Sequence, residues 1–335
     1  MGEARGALLL RDLERAAYLA AAPVLARMPA VIGYRVACWR GDWACQLQAG
    51  KRAELERNLR QVLGNEVSPA VVHQVMREWF RLASCEAVDV RRLRHGAGPL
   101  RRLVEVRGRG HLEAALAAGK GAILCSAHFG SYLSAFSVLH ASGFPVTTIG
   151  RWWYNYDPGI SSAERRVWDL HLKPVRRHQQ RPNIEPWPGR LEVAAMAAEA
   201  LRANEVVTVC IDAPPLNSDQ ERAIEVPFLG LRARLLPGAV VLAQLTGAPL
   251  LTCFMHRAVD YRHQVLEISP PMPVIGETVA TFERFAAEVS AAIQRNPAHW
   301  YFWASAADLA DLGLTSRLPG CADTAAGRGW LDGIL

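Results

Sequence analysis

The stretch Gly121–Ser134, GAILCSAHFGSYLS, carries the clearest chemical signal in the chain. Its apolar run Ala122, Ile123, Leu124, Cys125 ends in Ala127-His128-Phe129-Gly130, and a second apolar-periodic run begins near Ser131. That is the pattern of a strand, a tight loop and a helix. It puts His128 at the carboxyl end of a buried strand, where ligands gather in open α/β sheets. A neutral imidazole there is either a general base or a structural hydrogen-bonder. Gly130 would let a substrate approach the backbone closely. The N–H groups of Phe129, Gly130 and Ser131 would suit an oxyanion hole at a helix N-terminus, and Ser131 would also suit a helix cap. No G-x-S-x-G elbow is present, so Ser126 and Ser131 do not read as nucleophiles.

The elements that must position these residues follow from periodicity. Residues 1–95 read as a helical extension. Lys51–Leu63 ends near Gly64-Asn65, and a second helix starts at Ser68-Pro69 and runs through Val71, Val72, Val75, Trp79, Phe80 and Leu82 at three-to-four spacing. From Leu103 strands and helices alternate. Strands are predicted at Leu103–Val106, Ala122–Ser126, Pro145–Ile149, Val206–Ile211, Ile224–Phe228, Leu250–Met255 and Gln264–Ile268. Helices are predicted at His111–Ala118, Ser131–Ala141, Ser161–His171, Leu191–Ala203, Pro237–Thr246 and Val279–Arg295. This predicts an α/β fold: a mixed, largely parallel sheet flanked by helices, over residues 96–315, with 316–335 as a loose tail.

The 335 residues, half of them hydrophobic, are ample for a large core, and the net charge is +6. A basic balance suits an anionic membrane, a phosphorylated ligand, an acidic carrier protein or RNA. Arginine concentrates at 91–109 and 165–190, either as solvated faces or as an anion-binding surface. The seven cysteines form no C-x-x-C and read as buried small hydrophobes in a reducing compartment, and no cluster has metal-ligand spacing. No run reaches the roughly eighteen apolar residues of a membrane span. The nearest, Ala16–Tyr34, is broken by Pro23, Arg27 and Pro29 and reads as a core cap or an amphipathic surface helix. The expected place is the cytoplasm, with peripheral contact at the inner membrane face as an option.

Several ordered blocks together resemble the lauroyl/myristoyl (lipid A biosynthesis) acyltransferases, a branch of the lysophospholipid acyltransferase superfamily. They are the lead-in NLRQVLGNEVSPAVVHQVMREWFRLASCEAVDV, the block GAILCSAHFGSYL, the stretch VVTVCIDAPPLNSDQERAIEVPFLGLRARLLPGAVVLAQLTGAPLL, and the closing NPAHWYFWASAADL. The resemblance runs from about Asn58 to Leu309. It implies acyl transfer from a thioester, with a motif of histidine, four residues and an acid. His128 matches the histidine, which would deprotonate the acceptor. Asp212 matches a strand-end Asp of the family; it is either a supporting acid or a turn former before Pro214-Pro215. Arg151, opening RWWYNYDP, would hold an anionic group or stack on Trp152 or Trp153; Asn155 in the same segment, and Arg232 and Arg234 after V-P-F-L-G, would help form the substrate cleft. His299, in the closing turn, reads as structural.

The motif's acidic position falls on Leu133, which cannot orient a histidine. Three explanations follow, in order of preference: an amine or hydroxylamine acceptor, a substitute acid such as Asp212, or a site without turnover. The expected function is therefore transfer of an acyl group from coenzyme A or an acyl carrier protein to an amine, hydroxylamine or hydroxyl, with no cofactor beyond that cosubstrate. A second reading takes an aminoacyl-tRNA as donor, its phosphates gripped by the arginine-rich stretches. A third is a lipid or acyl binder with no activity.

Overall fold

The computed structural model describes residues 17, 21–64, 67–93, 98–150, 162–177, 182–186, 192–215, 217–274, 276–305, 309–310 and 312–314. Helices α1 (Ala30–Leu47), α2 (Ala49–Leu63) and α3 (Pro69–Arg92) come first, then a single turn, α4 (Gly98–Arg101). The alternating part follows: β1 (Val104–Arg107), α5 (Arg109–Ala117), β2 (Ala122–Ser126), α6 (Tyr132–Ala141), β3 (Val146–Ile149), α7 (Ser162–Arg177), α8 (Glu192–Arg202) and β4 (Val206–Cys210). Then come β5 (Ile224–Phe228), β6 (Leu231–Leu235), α9 (Gly238–Thr246), β7 (Leu250–Arg257), β8 (Gln264–Ile268) and α10 (Thr278–Arg295), with two 3-10 turns at Pro297–His299 and Tyr301–Ala304. Ser68 caps α3 as its Ser-Pro start predicts, its hydroxyl accepting from the N–H of Val71 at 3.3 Å.

The main sheet has six strands in the order β1-β8-β7-β2-β4-β3. Only the β7–β8 pair is antiparallel, so the sheet is mixed and mostly parallel. Central strand β2 is buried throughout. Its Ile123 and Cys125 join one apolar layer, and Ala122 and Leu124 the other. That is the period-two alternation of a strand covered by helices on both faces. Helices α2 and α3 share the first layer with β2, β4 and α10.

One strand escaped the sequence reading. Residues 231–235 pair antiparallel with β5 as β6, joined through Leu229 and Gly230, both at positive φ. The alternation L-R-A-R-L is a strand signal, with Leu231, Ala233 and Leu235 buried and the two arginines outward. Helix α1 starts after Pro29, and its inner face (Tyr34, Ala37, Gly41, Ala44, Cys45) is buried. A Cβ on Gly41 would stand 2.6 Å from Cα of Arg81, which shows how closely α1 rides on α3. The opposite face leaves Ile32, Val36, Trp39, Trp43 and Leu47 exposed at helical spacing.

Candidate active site

His128 lies two residues beyond β2, and Asp212 two residues beyond β4. These strands are parallel neighbours with Ser126 level with Cys210, and the ladder continues as the N–H of Ile211 donates to the carbonyl of Ser126 at 3.0 Å. Two more residues on each strand bring His128 and Asp212 side by side. Nδ1 of His128 is 2.8 Å from Oδ1 of Asp212. The backbone N–H of His128 donates to both carboxylate oxygens, at 3.1 and 2.9 Å. The indole N–H of Trp300 donates to Oδ2 at 2.9 Å.

Asp212 is fully buried. A charge in such a place needs donors on every side, and three converge on it. Because an ionised carboxylate only accepts, Nδ1 of His128 carries a proton and Nε2 keeps its lone pair. The His128 side chain is 22% exposed. Tyr132 meets its ring edge-on at 4.9 Å and Phe302 tilts against it at 4.7 Å, which fixes the imidazole plane.

The closing segment N-P-x-x-W is threaded along this loop. Phe129 and Trp300 form an antiparallel bridge. The N–H of Gly130 donates to the carbonyl of His299 at 2.8 Å, and the N–H of Tyr301 to that of His128 at 2.9 Å. These bonds deliver Trp300 to Asp212. They also correct the oxyanion-hole expectation, since the N–H of Phe129 turns back to the carbonyl of Ala127 at 2.7 Å and that of Gly130 is taken by His299.

Gly130 sits at φ +58°, and a Cβ there would fall 1.9 Å from the carbonyl oxygen of Met255 in β7. Gly130→Ala should therefore destabilise by more than the ~1–2 kcal/mol of the left-handed conformation alone, because the backbone of β7 must also move. A thermal melt unchanged from the parent would show that β7 yields freely.

Ser131 does not cap α6 with its side chain. Its hydroxyl instead donates to Oδ2 of Asp89 and accepts from the Arg257 guanidinium, each at 2.7 Å. Asp89, fully buried on α3, also accepts from the Tyr34 hydroxyl at 2.5 Å and pairs closely with Arg257. Arg257 further donates to the carbonyl of Tyr261 at 2.7 Å. Burial works most strongly against its charge, but Asp89, Cys85 and Tyr34 together outweigh it and hold the guanidinium above its ordinary value. Two rigid elements, α3 and β7, are thus tied to the loop that carries His128.

The Leu133 side chain packs against the second apolar layer. Arg232 is ion-paired to Glu225 at 2.6 Å on the outward side of the hairpin, and Arg234 is exposed on the same strand. Arg151 and Asn155 lie outside the described residues, as do Trp152, Trp153 and the proposed tail. Nε2 of His299 accepts the N–H of Arg257 at 3.1 Å, and burial pushes this imidazole down to about 3, so it stays neutral. Cys210 lies close to His128 and Asp212. Burial raises its thiol well above the ordinary range, which leaves it a poor ligand, and Asp212 is already engaged by its donors. Cys125 and Cys253 are buried, and burial keeps both thiols protonated.

Sequence reasoning missed Glu86, Asp89, Arg257 and the role of the Trp300 N–H. A signal for the first two existed. Val75, Trp79 and Leu82 continue at helical spacing into Glu86 and Asp89, so two acids fall on a face that is otherwise apolar.

Of the arginines at 91–109, Arg91 donates to the carbonyl of Leu170 and Arg92 to that of Met28. Arg107 and Arg109 pair with Glu105 and Glu113. Arg101 and Arg102 are exposed.

Comparison with known proteins shows the family of the chain. A phosphatidylinositol mannoside acyltransferase of Mycobacterium tuberculosis is 29% identical over 270 residues, which is 75% of this chain and 76% of that protein. Residues 4–162 and 173–305 match the family described as bacterial lipid A biosynthesis acyltransferase. With its strand-end histidine, its loop and its closing tryptophan segment all inside that match, the chain belongs to the lipid A biosynthesis acyltransferase family.

Proposed function

We propose that this protein moves an acyl group from a thioester, on coenzyme A or an acyl carrier protein, to a sugar hydroxyl of a membrane lipid, with His128 as general base. The observation that carries the reading is the contact of Asp212 with Nδ1 of His128, which leaves Nε2 free of that carboxylate on a side chain that is 22% exposed. Nε2 takes the proton of the acceptor hydroxyl as its oxygen attacks the thioester carbonyl. The tetrahedral adduct then collapses, the C–S bond breaks, and the thiolate leaves with the proton from the imidazolium. The acid missing at Leu133 is thereby supplied from the neighbouring strand, so an ordinary hydroxyl acceptor suffices. The acceptor class follows the mycobacterial relative, named for a phosphatidylinositol mannoside.

The test is radiolabelled palmitoyl transfer from palmitoyl-coenzyme A and from palmitoyl-acyl carrier protein to phosphatidylinositol mannoside. The parent should form product with one donor, and His128→Ala should abolish it. Transfer that survives His128→Ala overturns the assignment. The aminoacyl-tRNA reading draws less support, because Arg91 and Arg92 are engaged by backbone carbonyls, and Arg107 and Arg109 already have acidic partners at the surface.

The outer face of α1 supports peripheral membrane contact. No helix among the described residues is long and apolar enough to cross a bilayer. Trp39 and Trp43 are stacked 6.1 Å apart and are 67% and 46% exposed, one turn along the helix from the exposed Arg35. Amphipathic rings next to an arginine suit an anionic lipid interface. The double variant Trp39→Ala, Trp43→Ala should lose co-flotation with phosphatidylglycerol vesicles while keeping its melting temperature. Undiminished flotation would remove α1 from the contact.

A further inference from the structure

Six cysteines lie among the described residues, and two of them, on different helices, touch. Sγ of Cys38 on α1 is 3.7 Å from Sγ of Cys85 on α3, across 47 positions of sequence. The contact belongs to a seam along which the two helices run antiparallel. Gly41 meets Arg81, Cys38 meets Cys85 and Tyr34 meets Asp89, one layer per helical turn. The absent Cβ of Gly41 lets the two backbones close in, so the sulfurs face each other because rigid elements hold them there. Bringing them from 3.7 Å to a disulfide's ~2.05 Å asks each sulfur to move by about 0.8 Å, within the reach of a side-chain rotation.

The two thiols are unequal. Cys85 is fully buried, while Cys38 is half-buried and keeps part of its surface open. A hydrogen bond from Cys85, then the charges of Arg81 and Arg257, hold the Cys38 thiol below its ordinary value against burial and Glu78. Burial, then the bond to Cys38, raise the Cys85 thiol well above that value. Burial likewise raises Cys45, Cys125, Cys210 and Cys253. A reachable thiol in the field of two guanidinium groups, with a second thiol in contact, suits a peroxide-sensitive cysteine and its resolving partner.

We propose that Cys38 is a site of oxidation by hydroperoxides and that Cys85 resolves it, closing a reversible disulfide that staples α1 to α3. The Cys38 thiolate attacks one peroxide oxygen. The S–O bond forms as the O–O bond breaks, and the departing hydroxide takes up a proton and leaves as water. The Cys85 sulfur then displaces the hydroxyl of the Cys38 sulfenic acid: the S–S bond forms, the S–O bond breaks, and the Cys85 proton leaves with that hydroxyl as a second water. Two electrons pass from the sulfurs to the peroxide, and a thiol reductant restores them. The staple joins the helix whose tryptophans are exposed to the helix whose Asp89 holds Ser131, one turn from that contact.

The experiment is a peptide map of the purified full chain after brief exposure to hydrogen peroxide, with the remaining thiols blocked by N-ethylmaleimide and no reductant added. Trypsin frees Cys38 in residues 36–40 and Cys85 in residues 82–91, apart from every other cysteine. The treated parent should yield these two peptides joined, and dithiothreitol should separate them. Cys85→Ser should leave a Cys38 sulfenic acid that dimedone traps, and Cys38→Ser should leave Cys85 unoxidised. The oxidised parent should also melt higher than the reduced one, because the link closes a long loop in the unfolded chain. Cys38 labelled by N-ethylmaleimide as fully as before peroxide, Cys38 joined to another cysteine instead, no dimedone adduct in Cys85→Ser, oxidation of Cys85 in Cys38→Ser, or no rise in melting temperature would each overturn the proposal. If either variant does not fold, the map and the melt of the parent decide alone. Both readouts follow the cysteines and not His128, so their outcome is separate from that of the transfer assay.

Discussion

Asp212→Asn should lower acyl transfer by about four orders of magnitude, the cost of the same replacement behind the histidine of a serine-protease triad. The reason lies in the donors. Asp212 receives the Nδ1–H and the backbone N–H of His128 and the indole N–H of Trp300. An asparagine offers one accepting oxygen and one donating NH2, so at least one N–H would face another. The cheapest escape is for His128 to give up its Nδ1 proton and carry it on Nε2, which removes the base. His128→Ala should be at least as severe, and the double variant no worse than the more severe single one, since the two act as a unit. Leu133→Glu placed on top of Asp212→Asn should not restore activity, because the Leu133 side chain packs into the apolar layer. A purified, folded Asp212→Asn protein within tenfold of the parent would show that His128 does not work through this carboxylate.

Arg257→Met should cost about 3–5 kcal/mol, since it strips a buried carboxylate of its cation, and should lower the melting temperature by on the order of 10 °C. Asp89 would be left with only the Tyr34 and Ser131 hydroxyls. Adding Asp89→Asn to Arg257→Met removes the stranded charge and should recover part of the loss. Below its melting point the single variant should also transfer more slowly, because Ser131 loses one of the two anchors that set the His128 loop. Equal melting of the single and double variants would mean that the charge itself is not what the network holds in check.

How far the sequence reached can be judged from particular residues. His128 was legible because strand, loop and helix are written in local periodicity. The strands and helices around the sheet were legible for the same reason, close to their observed ends except for the helix expected at Ser161–His171, which runs on through Pro174 to Arg177. The hairpin strand Leu231–Leu235 is written in the same way, its buried Leu231, Ala233 and Leu235 alternating with two outward arginines. The meeting of His128 with Asp212 was not legible from spacing. Eighty-four positions separate them, and only the strand order, which places β4 beside β2, brings them together. The resemblance named Asp212 as a candidate, yet an altered acceptor was preferred as the answer to Leu133. Glu86, Asp89 and Arg257 were missed because tertiary pairing gives them their meaning. A lone acid on an apolar helix face shows that something compensates it, not what does.

The bond from Trp300 to Asp212 has a consequence for how the enzyme comes into being. Residues 128 and 212 leave the ribosome well before residue 300. During that interval the carboxylate lacks one of its donors, and the loop lacks the backbone bonds from residues 299 and 301. The set of hydrogen bonds around His128 and Asp212 is therefore complete only when the segment of Trp300 docks. Partial chains would carry the histidine and the acid on neighbouring strands but would lack the Trp300 donor and the backbone bonds that close the loop over them.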